Sequence, residues 1–182
     1  MNYFVKIKHI NKLKFMRLAI EIWRNNEILR TVSQEIRQDE IRKYSKIWEE
    51  MVKFVKNSSN WWVWLAAPQI WILKRLICVS LLKSYNDDNF KTIFMINPKI
   101  IEKWEKMVID EEWCLSVPGE IWKVERPDEI KLFFLDLKWK ENILFLKWIS
   151  SRIVQHEIDH LDWILFVDKV VKKWDLHKDH IL

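Results

Sequence analysis

Glycine occurs once in this 182-residue chain, at Gly119, whereas tryptophan occurs thirteen times. An ordinary domain of this length holds roughly 7% glycine, about a dozen residues. It relies on them wherever the backbone turns with positive φ or passes close to another group. A chain with one glycine has to make its turns from residues that carry a Cβ. Tryptophan stands at the places in question. Trp139 lies between Lys138 and Lys140 in an expected hairpin turn, and Trp62 and Trp64 border an Ala-Ala-Pro loop. The pattern implies a sequence altered at glycine positions, and intact mass tests it, since glycines there would leave the chain well short of 22.5 kDa.

Length and charge set the remaining bounds. The chain suffices for one domain with a hydrophobic core and is too short for two ordinary ones. Lys and Arg number 31 against 26 Asp and Glu, a net charge of +5. That excess is spread along the chain, which suits contact with an anionic partner but gives no Arg-rich stripe for sequence-specific nucleic-acid binding. Two cysteines, Cys78 and Cys114, make no disulfide framework and point to a reducing compartment. No apolar run reaches membrane-spanning length.

In chain order, residues 1–17 form a basic extension or arm that carries Lys6, Lys8, Lys12, Lys14 and Arg17, with Met16 as an alternative start. A basic presequence is the other reading of it. Residues 18–170 form the main domain and 171–182 a polar tail. From Glu35 to Asn57, apolar residues recur at three- and four-residue steps, which predicts an amphipathic helix ended by Asn57-Ser58-Ser59-Asn60. Residues 61–71 read as a non-periodic loop in which Gln69 is a polar group in an apolar setting that needs a partner or a purpose. Short β-branched runs follow at 72–80, 92–96, 106–110, 121–125, 130–136 and 142–146. Turns are expected at Asn86–Asn89, Asn97-Pro98 and Lys138–Asn142. A buried helix is predicted over 147–161 and a last strand over 164–167. Strands outnumber helices and the connections are short, so the expected class is α+β with a mostly antiparallel sheet around a central helix.

That helix carries Gln155-His156-Glu157-Ile158-Asp159-His160, an H-E-x-x-H motif. On a helix, residues four apart share a face, so His156 and His160 point at one metal ion. Glu157, about 100° round the helix, sits beside the metal as a general base for a bound water. The plain alternative is two surface or locally satisfied core histidines. A tetrahedral ion lacks a third ligand, for which His9, His177, His180, nearby acids and Cys114 are candidates. Cys114 lies in the turn-like stretch Asp110–Gly119, from which one thiolate completes a Cys-His-His set; Cys78, inside an apolar run, reads as a small buried hydrophobe.

Three separated blocks resemble the peptide deformylase family, in the family's order. They are Trp62-Val63-Trp64-Leu65-Ala66-Ala67-Pro68-Gln69, Glu112-Trp113-Cys114-Leu115-Ser116, and Gln155–His160 followed by Leu161-Asp162-Trp163. Asn26–Arg30 and Val124-Glu125-Arg126-Pro127 resemble two further family segments, and the resemblance covers about residues 18–170. It implies Cys114, His156 and His160 as metal ligands and Glu157 as the general acid/base. It implies Gln69 and the Leu115 N–H as oxyanion donors, with Glu112 and Arg126 as supports of the ligands. Val63 and Ile153 are the implied lining of the pocket for the substrate's methionine. The implied reaction frees formate from the N-formylmethionine of newly made polypeptides, using Fe(II) in the cell and Zn, Ni or Co in purified protein. Trp62, Trp64, Trp113 and Trp163 each stand where the family has glycine, and Trp122, Trp139 and Trp148 stand where it is common there. Real indoles at those places predict a poorly folded or impaired enzyme.

Two other classes compete. The H-E-x-x-H motif alone suggests a metallopeptidase, and the basic segment Lys169–His180 suggests a metal-stabilised module that docks on the ribosome. Transient ribosome contact fits the nascent-chain substrate in either case. The expected location is the bacterial cytoplasm, or a mitochondrion or plastid if the basic N-terminus is a presequence.

Overall fold

The computed structural model describes residues 22, 24–56, 64–83 and 90–171. The expected basic arm, the turn at Asn86–Asn89, Val63, and His9, His177 and His180 lie outside the described residues. So do the tail beyond residue 171 and the boundary expected at residue 17.

The helix predicted over 35–57 is α1, Ile41–Lys56, preceded by a 3₁₀ turn over Gln38–Glu40. That turn forms because Glu40 reaches back to the Arg37 N–H at 3.0 Å. The chain then runs through β1 (Trp64–Ala66), β2 (Leu76–Leu81), β3 (Lys91–Lys103), β4 (Met107–Cys114), β5 (Val117–Pro127), β6 (Glu129–Leu135) and β7 (Glu141–Lys147), and into α2 (Trp148–Leu161). Five strands form one antiparallel sheet in the order β1-β2-β3-β6-β7, and β4 and β5 form a separate antiparallel hairpin. The α+β class with mostly antiparallel pairing is therefore the observed one.

Strand alternation gives the sheet two apolar faces. One packs Leu65, Leu76, Cys78, Phe94 and Ile96 on Met51 and Val55 of α1. The other packs Ala66, Ile77, Val79, Met95, Ile130 and Leu132 on Ile149, Ile153, Val154, Ile158 and Leu161 of α2. A third cluster of Leu29, Cys114, Val117, Val124, Leu165 and Phe166 fills in beside the hairpin. Helix α2 lies between the sheet and the hairpin, and every residue from Ile149 to Leu161 is buried. A helix covered all round is where polar residues must have partners or a ligand.

Three expectations need correcting. The segment 61–71 is no simple loop. It contains β1, which pairs with β2, and a 3₁₀ turn over Ala67–Ile70; a three-residue strand is too short to show a period. Asn97-Pro98 lies inside β3 and does not end it. Asn97 takes φ 50° there, and its side-chain amide bonds both the N–H and the C=O of Ile36 while the β3–β6 register shifts. The last strand is a 3₁₀ turn, Phe166–Lys169, because Asp168 accepts the Leu165 N–H at 2.9 Å and closes it. Leu165 and Phe166 are both buried in the cluster beside the hairpin.

Candidate metal centre and active site

The i,i+4 spacing on α2 sets His156 and His160 on one face, with ring centroids 5.1 Å apart. The β4–β5 hairpin supplies the third group. A register shift between Trp113 and Cys114 breaks the ladder at the end of β4, and the Cys114 Sγ lies 3.2 Å from His160 Nε2. The three donor atoms lie within 4.8 Å of one another, and all three residues are buried. His156 Nε2 has no hydrogen-bond partner among the described residues. An orphaned buried imidazole nitrogen facing a thiol and a second imidazole fits a cation, since such a group is costly to leave unsatisfied. One thiolate and two imidazoles suit a borderline-soft divalent ion. These residues form a site for one divalent metal ion.

Protonation agrees with that use. Burial, with neighbouring His156 and Arg126, holds His160 well below the ordinary histidine value, so the ring stays neutral and able to ligate. Burial, together with the Glu157 carboxyl, pushes the Cys114 thiol up to about 12. It gives up its proton only in exchange for a cation.

The other side of His156 is fully engaged. Its Nδ1 meets Glu112 Oε2 at 3.0 Å, which orients the ring with Nε2 toward the metal position. Glu112 in turn accepts two bonds from Arg126, at 2.5 and 2.8 Å, and one from Arg152 Nη1 at 2.7 Å. Burial alone would raise the Glu112 carboxyl; the bonds from Arg126 and His156 outweigh it and hold the group ionised. Arg126 also donates to Asp159 Oδ2 at 2.7 Å, and Lys169 donates to Asp159 Oδ1 at 2.7 Å. Arg152 ties the hairpin down through the carbonyls of Val124 and Val108. Glu112 and Arg126 were legible in the sequence. Arg152 and the Asp159–Lys169 pair were not.

Glu157 is fully buried, and neither carboxylate oxygen has a hydrogen-bond partner among the described residues. Its Oε1 lies 4.0 Å from His156 Nε2. Burial and the nearby carboxylates of Glu112 and Asp159, only partly countered by Arg126, hold its carboxyl well above the ordinary value. Gln69 solves the problem its sequence position posed. Its Oε1 accepts the Ala66 N–H at 2.8 Å, which fixes the amide so that Nε2 points to Ser116 Oγ at 3.1 Å and Cys114 Sγ at 3.6 Å. Leu115 sits in the turn joining β4 to β5, next to Cys114. Ser116, which sequence reasoning passed over, also donates its N–H to Cys114 Sγ at 3.4 Å.

Ile153 lies with Ile149, Arg152 and His156 along a pocket that Trp64 and Trp113 also line. The two indoles meet with centroids 6.0 Å apart. The space left is about 20 Å³, enough for one water and not for a methionine side chain.

The sequence matches the profile of the family described as Polypeptide deformylase over residues 20–175. A peptide deformylase of Prochlorococcus marinus (strain MIT 9312) is 35% identical over 166 residues, covering 90% of this chain and 79% of that one. Among solved structures, a probable peptide deformylase from Synechococcus phage S-SSM7 is 37% identical with a TM-score of 0.73, covering 84% of this chain and 99% of that one. A Met-Ala-Ser-bound class I type b peptide deformylase from Acinetobacter baumannii is 32% identical with a TM-score of 0.74, covering 85% and 99%. With the family profile spanning most of its length and the thiolate, two imidazoles and buried carboxyl gathered at one point, the chain belongs to the polypeptide deformylase family and is a metal-dependent hydrolase.

Proposed function

We propose that this chain removes the formyl group from the N-terminal methionine of newly made polypeptides, leaving formate and a free amine. The observation that carries this is the convergence on one point of the three ligand atoms, the Glu157 carboxyl, unpartnered among the described residues, and the Gln69 amide. When bound, the divalent ion supplies Lewis acidity and acidifies a water. The ions that suit the donor set are Fe(II) in the cell and Zn, Ni or Co in purified protein.

The remaining steps belong to the chain. Glu157 takes a proton from the attacking water and returns it to the departing amine as the C–N bond breaks, so that water's oxygen ends on formate. A carboxyl with a raised pKa suits this double duty, because it holds a proton readily near neutral pH. The Gln69 amide and the Leu115 N–H donate to the oxygen on which charge develops; one such donor lowers the barrier by about 3 kcal/mol. Glu112 and Arg126 hold His156 in orientation. Of the two residues expected to take the methionine side chain, Ile153 lines the pocket beside His156, and the Met-Ala-Ser ligand of the Acinetobacter relative supports a peptide with that end. Formyl is the smallest acyl group, so a tight space beside the metal rejects acetyl.

No helix is long and apolar enough to cross a membrane among the described residues; the bacterial relatives support a bacterial cytoplasmic setting, and a nascent-chain substrate would call for transient access to the ribosome. A single assay tests the reading. The metal-loaded protein is given formyl-Met, acetyl-Met and free Met peptides, and only the first should release an acid. Cleavage of an internal peptide bond would instead make it a metallopeptidase.

A further inference from the structure

Five described residues other than glycine take positive φ, and four of them are tryptophans: Trp71 at 67°, Trp139 at 62°, Trp148 at 55° and Trp163 at 62°. The fifth is Asn97, a residue type that tolerates this region. Gly119 takes φ 83° as well. A bulky side chain in the left-handed region is an outlier wherever it occurs, and here the outliers share one residue type.

Each position asks for glycine on local grounds. Trp71 ends the Ala67–Ile70 turn in the left-handed conformation. Trp139 donates to the Asp136 C=O at 2.9 Å in the β6–β7 turn. Trp148 opens α2 directly after an extended Lys147. Trp163 lies just past the end of α2, where the Ile164 N–H returns to the Asp159 C=O at 2.9 Å, the closure that normally has glycine at its left-handed residue. Packing does not explain three of the indoles, since those of Trp71, Trp148 and Trp163 are 52%, 63% and 52% exposed; that of Trp139 is half-buried against the cluster beneath α1. A separate observation comes from the pocket, where Trp64 and Trp113 fill the space beside Ile153 and His156. Trp122 is a further exposed indole, facing solvent on β5. Trp48 is of another kind: it sits within α1, where glycine is unfavourable, and packs edge-on against Phe94.

Scattered mutations do not select sites by backbone conformation, whereas a single decoding rule does. We propose that the functional polypeptide carries glycine at positions 64, 71, 113, 122, 139, 148 and 163, because the codon UGA, a stop in the standard code and tryptophan in a variant one, is read as glycine in the cell that makes it. The opal codon UGA differs by one base from both the tryptophan codon UGG and the glycine codon GGA, so one altered tRNA anticodon suffices. The retained Gly119 is then a glycine from an ordinary glycine codon. The pocket at Ile153 opens once the indoles at 64 and 113 are gone. This inference rests on backbone and packing and stands apart from the reaction proposed above.

Peptide mass mapping of the protein purified from its own cells decides it. Peptides spanning positions 71, 139, 148 and 163 are expected to be lighter by one indolylmethyl group at each position, while the Trp48 peptide keeps its indole. Tryptophan at those four positions overturns the proposal. In parallel, the tryptophan chain and its sevenfold Trp→Gly variant are expressed side by side. The variant should melt at higher temperature and bind one equivalent of Zn(II); a tryptophan chain that melts as high and binds Zn(II) equally well also overturns it. A glycine variant that folds and binds metal yet frees no formate leaves the decoding intact and removes only the deformylase reading.

Discussion

The interior of α2 and its two ends obey opposite rules. From Ile149 to Leu161 the helix is buried, and its charged residues either join a closed network or face the metal position. At its ends, Trp148 and Trp163 hold left-handed backbone with more than half of each indole in water. The interior shows what function demands of side chains. The ends show what the fold demands of backbone, and there a side chain is only an obstacle. Within the interior a second contrast matters: on one side of His156, Nδ1 is bonded to Glu112, while on the other Nε2 and both Glu157 oxygens are without hydrogen-bond partners among the described residues. The bonded side positions, and the unbonded side is available for chemistry.

The sharpest way to break this contrast is to neutralise the unbonded side. Glu157→Gln keeps the shape and removes the proton carrier, so formate release should fall by about 10² to 10⁴ while bound metal and melting temperature hold. Undiminished turnover in a metal-replete sample would remove Glu157 from the reaction. On the bonded side, Glu112→Gln should weaken metal binding by about 10- to 100-fold, read by competition with a chelator. It should also lower the melting temperature, because Arg126 and Arg152 lose the charge that both of them contact. If metal affinity stays unchanged, the Glu112–His156 contact does not orient the ligand.

How far the sequence could be read follows the same division. His156, His160 and Glu157 were legible because the i,i+4 spacing is a local pattern, and α2 itself was expected within a residue of its observed start. Cys114 needed the second block, since its partner is 46 residues away. Arg152 left no trace for a further reason. It lies on the helix as an ordinary cation, and only the packed hairpin reveals that it meets Glu112 and two strand carbonyls. The Asp159–Lys169 pair was hidden likewise, with Lys169 reading as part of a solvated basic run. The 3₁₀ turn at Phe166–Lys169 read as a strand because four apolar residues in a row carry no period, and only the Asp168 bond to the Leu165 N–H decides between the two.

Two exchanges of tryptophan for glycine test the ends against a helix body, and they should differ in sign. In the tryptophan-bearing chain, Trp163→Gly should raise unfolding free energy by about 1 kcal/mol, the typical cost of left-handed backbone in a residue with a Cβ. Trp48→Gly should lower it by about 2 kcal/mol, from the glycine penalty within a helix and the lost contact with Phe94. Denaturant melts of the two variants would show both shifts, and shifts of equal sign would mean that the backbone at 163 is not what sets the cost.

The smallest expected effect concerns the clamp on the C-terminal end of α2. Arg30 donates to the Trp163 C=O at 3.1 Å and forms a bidentate pair with Asp168, which also closes the following turn. Burial would raise the Asp168 carboxyl, but the bonds from Arg30 and the Leu165 N–H outweigh it and hold the group below its ordinary value. A carboxyl lowered by folding contributes stability above its unfolded pKa of about 3.9, and the contribution is lost as pH falls through the folded value. Asp168 is 39% exposed, so solvent screening limits the pair to less than about 1 kcal/mol. Wild-type and Asp168→Asn proteins should therefore differ slightly in melting temperature at pH 6 and converge as pH drops below about 4. A difference that persists undiminished at pH 3 would mean that Asp168 acts through the turn it closes, independently of charge, and that the end of α2 is held by backbone geometry alone.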